Sequence, residues 1–190
     1  MIETKLIGLS GYAKTGKDLF CEKLIEYLGE QEQPQKASRI AFADRLKKDL
    51  NHFTSKHMGL SALTKAPEEK TILRPLFVAY GEGMRTIDPQ YWVKKIEHTA
   101  NSLLGLGVIP IVTDVRYENE AIWTNQNGIL IFLKRDGVVA PNRQEMENTP
   151  LVKNKANIIV DWPTTSNDSI LNEIVEATVH KIKGIHNAKR

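Results

Sequence analysis

The sequence predicts an α/β protein with a mainly parallel five-stranded sheet and helices on both faces. Three observations predict it. Short apolar runs bounded by glycine or polar residues recur along the chain, helical periodicities fill the stretches between them, and a glycine-rich turn joins the first run to the first helix. Strands that alternate with helices pair in parallel and bury both faces of their sheet. The 190 residues suit a single domain, residues 1–190, with no internal repeat and no linker.

Taken in order, Lys5 to Ser10 is a short buried strand, and Leu19, Phe20, Leu24, Ile25 and Leu28 repeat at helical spacing until Gly29. A polar loop over 31–36 leads to a second strand over 39–43, and Asp44 is placed to cap a helix running through His57. After a loop over 58–67, residues 68–81 read as a helix that contains Pro75. Asp88-Pro89 has the signature of a helix start, with Trp92, Val93 and Ile96 along one side. Residues 108–112 form the best central strand although Pro110 interrupts them, followed by a helix over 117–126 and a strand over 128–133. Residues 136–155 are polar and irregular, which marks them as a candidate lid. Residues 157–160 make a last strand, 169–183 a last helix, and 186–190 a tail expected to fray.

Composition excludes several functions. An apolar fraction of 41% with 26% charged residues is that of a globular protein, and no apolar run approaches the roughly 18 residues of a membrane span. The first residues carry no signal-peptide pattern, so the expected location is cytoplasmic. Cys21, the single cysteine, sits among helical apolar residues and reads as a structural thiol. A net charge of +3 with no basic block argues against a nucleic-acid partner and suits small anionic ligands. The five histidines share no ligand spacing.

Gly11-Tyr-Ala-Lys-Thr-Gly16-Lys17-Asp18 matches G-x-x-x-x-G-K directly after a strand and directly before a helix. The glycines let successive backbone N–H groups turn inward around phosphate oxygens, and the helix N-terminus adds partial positive charge. A lysine at this position bridges the β- and γ-phosphates. Gly11, Ala13, Lys14, Thr15, Gly16, Lys17, Asp18 and Leu19 are therefore the candidate ATP-binding residues, and the fold becomes the three-layer sandwich of P-loop NTPases. Lys14 either reaches a phosphate or is a solvated loop charge. Asp18 replaces the usual Ser or Thr, either as a ligand of Mg²⁺ or as a charge complementing the helix dipole.

Asp114 ends the strand over 108–112, where open α/β sheets place ligands, and is a candidate second acid near Mg²⁺ or a plain cap. Arg116 follows, suited to clamping an acceptor phosphate or balancing charge during transfer, so Lys17, Asp114 and Arg116 form the catalytic set. Arg74 and Arg85 lie among Leu, Phe, Tyr and Trp residues that suggest partial burial, and a buried guanidinium requires an anionic partner. Trp92 either stacks on a base or anchors a helix in the core.

The stretches Leu9 to Asp18, Ala41-Phe-Ala-Asp-Arg-Leu-Lys47, Leu73-Arg-Pro-Leu76 through Asp88-Pro-Gln-Tyr-Trp-Val93, and Thr113-Asp-Val-Arg-Tyr-Glu-Asn-Glu120 resemble the deoxynucleoside monophosphate kinases of bacteriophages. The resemblance covers most of residues 5–161 and makes the Gly-Lys-Asp ending a family mark. It implies that Gly16, Lys17 and Asp18 hold ATP and its Mg²⁺, that Leu46 and Lys47 lie beside an acceptor nucleotide, and that Arg74 and Arg116 contact its phosphate. It further implies a lid carrying Arg143, a host-cytoplasmic setting and a homodimer as an assembly, although the chain marks no interface. The Gly-Lys-Asp ending and the Arg-to-Asp-Pro arrangement also resemble animal phosphomevalonate kinases. A third reading is a non-catalytic module that binds ATP and regulates a partner.

Overall fold

The computed structural model describes residues 2–187. Its elements are β1 (Ile7–Ser10), α1 (Lys17–Gly29), β2 (Lys36–Ile40), α2 (Phe42–Met58), α3 (Pro67–Ile87), α4 (Tyr91–Gly105), β3 (Val108–Val112), α5 (Glu118–Asn127), β4 (Ile129–Lys134), α6 (Arg143–Asn154), β5 (Ile158–Asp161) and α7 (Asp168–Asn187). Residues 188–190 of the expected frayed tail lie outside the described residues. Two compact units emerge: Met1–Ile40 with Thr99–Arg190, and Ala41–His98.

The larger unit holds the whole sheet, five parallel strands in the order β2-β3-β1-β4-β5. The three inner strands are almost continuously buried and read as unbroken apolar runs, whereas β5 alternates and β2 is half polar. Successive side chains leave a strand on opposite faces. Ile7 and Leu9, Ile109 and Ile111, and Ile129, Ile131 and Leu133 join Phe20, Leu24 and Leu28 of α1 and Leu171, Val175 and Val179 of α7 in one core. On the other face Gly8 gives α5 room, since a Cβ there would stand 2.5 Å from the Thr124 methyl. The predicted three layers are the layers observed.

Several boundaries differ from the sequence reading. The second strand runs over Lys36–Ile40 rather than 39–43, because an edge strand needs only one neighbour and so tolerates exposed Lys36 and Arg39. Phe42 already belongs to α2, whose N-cap is Ala41, not Asp44. Pro110 stands inside β3; pairing with β1 begins only at Ile111, so on that side the missing N–H falls before the paired register. Residues 136–155 contain a helix, α6. Its signal was a cap, the Asn142 Oδ1 accepting the Glu145 N–H at 2.9 Å, and its inward face is partly polar, with Glu145 and Thr149 buried beside Val152.

In the smaller unit, α3 continues to Ile87 straight through Gly81, which is buried: a Cβ there would meet the Leu46 Cδ1 at 3.1 Å. Asp88 closes α3 rather than opening α4. Its backbone N–H donates to Met84 and its carboxylate accepts from the Gln90 N–H and pairs with Lys94 at 2.8 Å, so α4 starts at Tyr91. Trp92 is buried between Tyr80 and Tyr91, both edge-on, and its Nε1 donates to the Gly81 carbonyl at 3.0 Å.

One contact in the sheet is checkable by a single methyl group. The Ile129 N–H donates to the Leu6 carbonyl at 3.0 Å, and a Cβ on Gly128 would lie 1.9 Å from that same oxygen. Gly128→Ala is expected to destabilise the protein by about 1–3 kcal/mol through this backbone clash. A denaturant midpoint equal to that of the wild type would refute the close approach of β1 and β4.

Candidate active site

The loop after β1 is shaped by residues that few side chains could replace. Gly11 has φ 138°, Lys14 φ 69° and Gly16 φ 92°. A Cβ on Gly11 would stand 2.3 Å from the Leu133 carbonyl at the end of β4, and one on Gly16 would enter the Trp162 ring at 2.6 Å. The chain must therefore turn between two neighbours with no room for a methyl group. Thr15, buried, ties the turn by donating its hydroxyl to the Tyr12 carbonyl at 2.9 Å. Gly16 is the N-cap of α1, so the helix start faces the loop and adds its partial positive charge there.

Lys17 folds back over this loop. Its Nζ donates to the Gly11 and Tyr12 carbonyls at 2.8 and 2.7 Å, with the Thr15 Oγ1 at 3.4 Å. Burial pushes its pKa down to about 8, Arg116 pushes the same way, and the carboxylates of Glu145, Asp18 and Asp114 oppose them. Lys17, Asp18, Asp114 and Arg116, separated by up to about a hundred residues in sequence, therefore share one electrostatic environment. Asp18 is exposed and lies 3.6 Å from Arg39. Leu19, 38% exposed, begins the helix's outer face.

Arg116 is set by its backbone. The Glu120 Oε2 accepts the N–H groups of Arg116 at 2.8 Å and Tyr117 at 3.1 Å, which caps α5 and fixes the segment after β3. Glu120 is 1% exposed. The Arg116 Nη1 approaches the Glu145 Oε1 at 3.5 Å, and the other oxygen of Glu145 accepts the Ala13 N–H of the loop at 2.8 Å. Beside the turn, the Arg135 Nη1 donates to the Lys14 carbonyl at 3.4 Å, while the Arg135 Nε and the Trp162 Nε1 are buried donors with no acceptor among the described residues.

The other expected site residues lie on α2, α3, α4 and α6. Arg143, on α6, is exposed and taken up by Glu147 at 2.6 Å, one turn along the same helix. Leu46 and Lys47 lie on α2, and Arg74 and Arg85 on α3, all in the smaller unit. The partial burial expected of the two arginines is found only at Arg85, whose Nη1 donates to the Gly81 carbonyl at 3.2 Å; Arg74 is exposed and has no ion-pair partner among the described residues. Trp92 resolves to the core anchor of its two readings, since a ring 2% exposed has no face to offer a base. Cys21 is buried, and burial raises its thiol to about 12, as a structural cysteine requires.

Glu120, Glu145, Arg135 and Trp162 were given no role from the sequence. Glu120 and Glu145 each stand three residues after a helix cap, the spacing of a carboxylate that reaches backbone N–H groups, and that was the available signal. Nothing local marks Trp162, which comes to the loop only through the pairing of β5 with β4.

The glycine-shaped turn, the helix start behind it and Lys17 folded over it are the groups that could hold the phosphates of a triphosphate. Asp18 and Asp114 are hard oxygen donors of the kind Mg²⁺ takes when phosphates and water complete its shell, and no group of three or more potential metal-binding side chains occurs among the described residues. No helix among the described residues is long and apolar enough to cross a membrane.

The fold is found in solved structures. A protein of Thermus thermophilus aligns with a TM-score of 0.51 at 12% identity, covering 93% of this chain and 96% of that one. A shikimate kinase of Aquifex aeolicus aligns at 0.47 with 14% identity, covering 95% and 98%, and one of Acinetobacter baumannii at 0.47 with 11% identity, covering 94% and 95%. No curated protein matches the chain. The sequence model of the phosphomevalonate kinase family matches residues 9–128, from the end of β1 through α5. That match takes in Lys17, Asp18, Asp114 and Arg116 and gives the second of the two kinase resemblances, not the phage one, as the family. With a phosphate loop, a lysine folded over it and a matched segment spanning well over half of its length, the chain belongs to the phosphomevalonate kinase family, P-loop kinases that phosphorylate a small substrate using ATP and Mg²⁺.

Proposed function

We propose that the chain transfers the γ-phosphoryl group of ATP directly to the phosphate of a small phosphorylated acceptor, a nucleoside monophosphate, giving ADP and the diphosphate. The observation that carries the reaction type is the pair of cations at the loop. Arg116 stands near enough to Lys17 to depress its pKa, and two cations held together in this way are stabilised by a guest of high negative charge. An acceptor phosphate is such a guest, and its oxygen is already anionic, so transfer needs alignment and charge balance rather than a general base. Lys17 would bridge the β- and γ-phosphates, the N–H groups of residues 13–18 would hold them, and Arg116 would balance charge on the group in transit. Asp18 and Asp114 would hold Mg²⁺, which draws charge from the phosphate oxygens. Arg143, with residues 136–155, is retained as the lid candidate. Leu46, Lys47, Arg74 and Arg85 are the acceptor-contact candidates, on the motif stretches that resemble nucleotide kinases.

Family membership favours a second acceptor, phosphomevalonate, whose phosphate asks the same of the site. One panel separates the readings: ATP and Mg²⁺ with each deoxynucleoside monophosphate, each ribonucleotide counterpart and phosphomevalonate, with ADP release as the signal. Turnover dependent on a monophosphate supports the first, turnover dependent on phosphomevalonate supports the second, and ATP binding without turnover on any acceptor would leave a regulatory module.

Lys17→Ala is expected to lower kcat by about 10²–10³-fold or more with the fold retained, and a fully active variant would sink the assignment. Arg116→Ala and Arg74→Ala are expected to impair use of the acceptor more than binding of ATP; unchanged acceptor kinetics in both would remove them from the site.

The depressed pKa of Lys17 adds a pH dependence. Phosphate favours the ammonium form, so the lysine's pKa is higher in the complex than the value of about 8 in the free protein. Binding is then undiminished below that value. Above it, nucleotide binding must take up a proton and weakens by up to about tenfold per pH unit. Calorimetric titration between about pH 7 and about pH 9.5 should show this slope in the wild type and none in Lys17→Met.

A further inference from the structure

The sequence-derived site contains cations and Mg²⁺ ligands but no account of Glu145. This carboxylate lies in the first turn of α6 with its side chain 7% exposed. A carboxylate so buried is stable only with partners. One oxygen takes the Ala13 N–H at 2.8 Å and the other faces the Arg116 Nη1 at 3.5 Å, and its charge reaches Lys17. Its own backbone is pinned by the cap, with the Glu145 N–H on the Asn142 Oδ1 and the Met146 N–H on the Asn142 carbonyl at 3.0 Å. Ala13, Lys17 and Arg116 are the donors and cations that the proposed reaction gives to the phosphoryl group in transit. A single N–H cannot serve both anions, and two anions cannot share the place without strong repulsion.

Resting on the reading of Gly11–Asp18 as an ATP cradle, we propose that Glu145 is an internal stand-in for the γ-phosphoryl group that sets the preference of the site between ATP and ADP. It holds the Ala13 N–H and Arg116 in the nucleotide-free protein. The γ-phosphate of ATP displaces it, and it returns to both partners once transfer has left ADP, whose two phosphates do not contest them. The contact thus charges ATP binding with a displacement that ADP binding avoids, and it keeps the donors arranged between turnovers.

The test compares the wild type with Glu145→Gln, which keeps the shape and removes the charge. Charged acceptors bind roughly twice as strongly as neutral ones, so the amide is the easier to displace. Calorimetric titration is expected to show MgATP binding about fivefold tighter in Glu145→Gln and MgADP changed by less than about twofold. A merely structural glutamate would shift both nucleotides together or neither, and either result overturns the proposal. Hydrogen exchange of the Ala13 amide in the nucleotide-free protein gives a second readout, independent of ATP: exchange should be faster in Glu145→Gln and in Glu145→Ala, and equal rates would refute the contact. Should the wild type bind neither nucleotide, the ATP reading falls by itself, and the exchange rates still judge whether Glu145 holds the loop.

Discussion

Everything at the phosphate loop depends on the absence of one methyl group. Gly11 turns the chain out of β1 against the Leu133 carbonyl, with φ 138° and no space for a Cβ. The turn leads through Ala13 to Gly16 and places Lys17 as the first residue of α1, whose N-terminus therefore adjoins the loop. The parallel sheet supplies the other half of the constraint. β1 lies between β3 and β4, so the segments that leave its two neighbours, carrying Asp114 and Arg116 on one side and Arg135 on the other, emerge at the same edge.

The electrostatics of that edge follow from the geometry. Burial pushes Lys17 toward its neutral form without reaching it at neutral pH, and Arg116 adds to the pressure, so the nucleotide-free loop holds positive charge at a cost. Carboxylates relieve part of it. Glu145, Asp18 and Asp114 all do so through their charge, and Glu145 also takes a loop N–H directly. Such a site is poised for an anion stronger than a carboxylate. Its polar groups are arranged before any ligand arrives, which is what makes electrostatic stabilisation of a transferring group effective.

Much of this was legible in the chain. The inner strands are buried on both faces and so announce themselves as apolar runs, and the glycine turn between Ser10 and Lys17 is fixed by local geometry that only certain residues satisfy. The less legible parts fail for physical reasons. The edge strand β2 needs few apolar residues, so its true start at Lys36 looked like loop. α6 turns a glutamate and a threonine inward, so its periodicity was disguised as polarity. Gly81 looked like the end of a helix because the packing against Leu46 that makes glycine useful there is invisible locally. The spacing of Glu145 after its cap marks a carboxylate that reaches backbone N–H groups but not whose, and like Trp162 it comes to the loop from far along the chain.

Trp162 gives the protein an optical property. Its indole rests on Gly16, edge-on to Phe20 of α1 at 5.2 Å, with an Nε1–H that has no acceptor among the described residues. Emission from an indole responds to the charge and polarity around its ring, and here the ring borders the space where phosphates would collect. A ligand that brings charge to the loop is therefore expected to alter the ultraviolet emission of Trp162, against the background of Trp92 and Trp123, so that its arrival can be followed without attaching a dye.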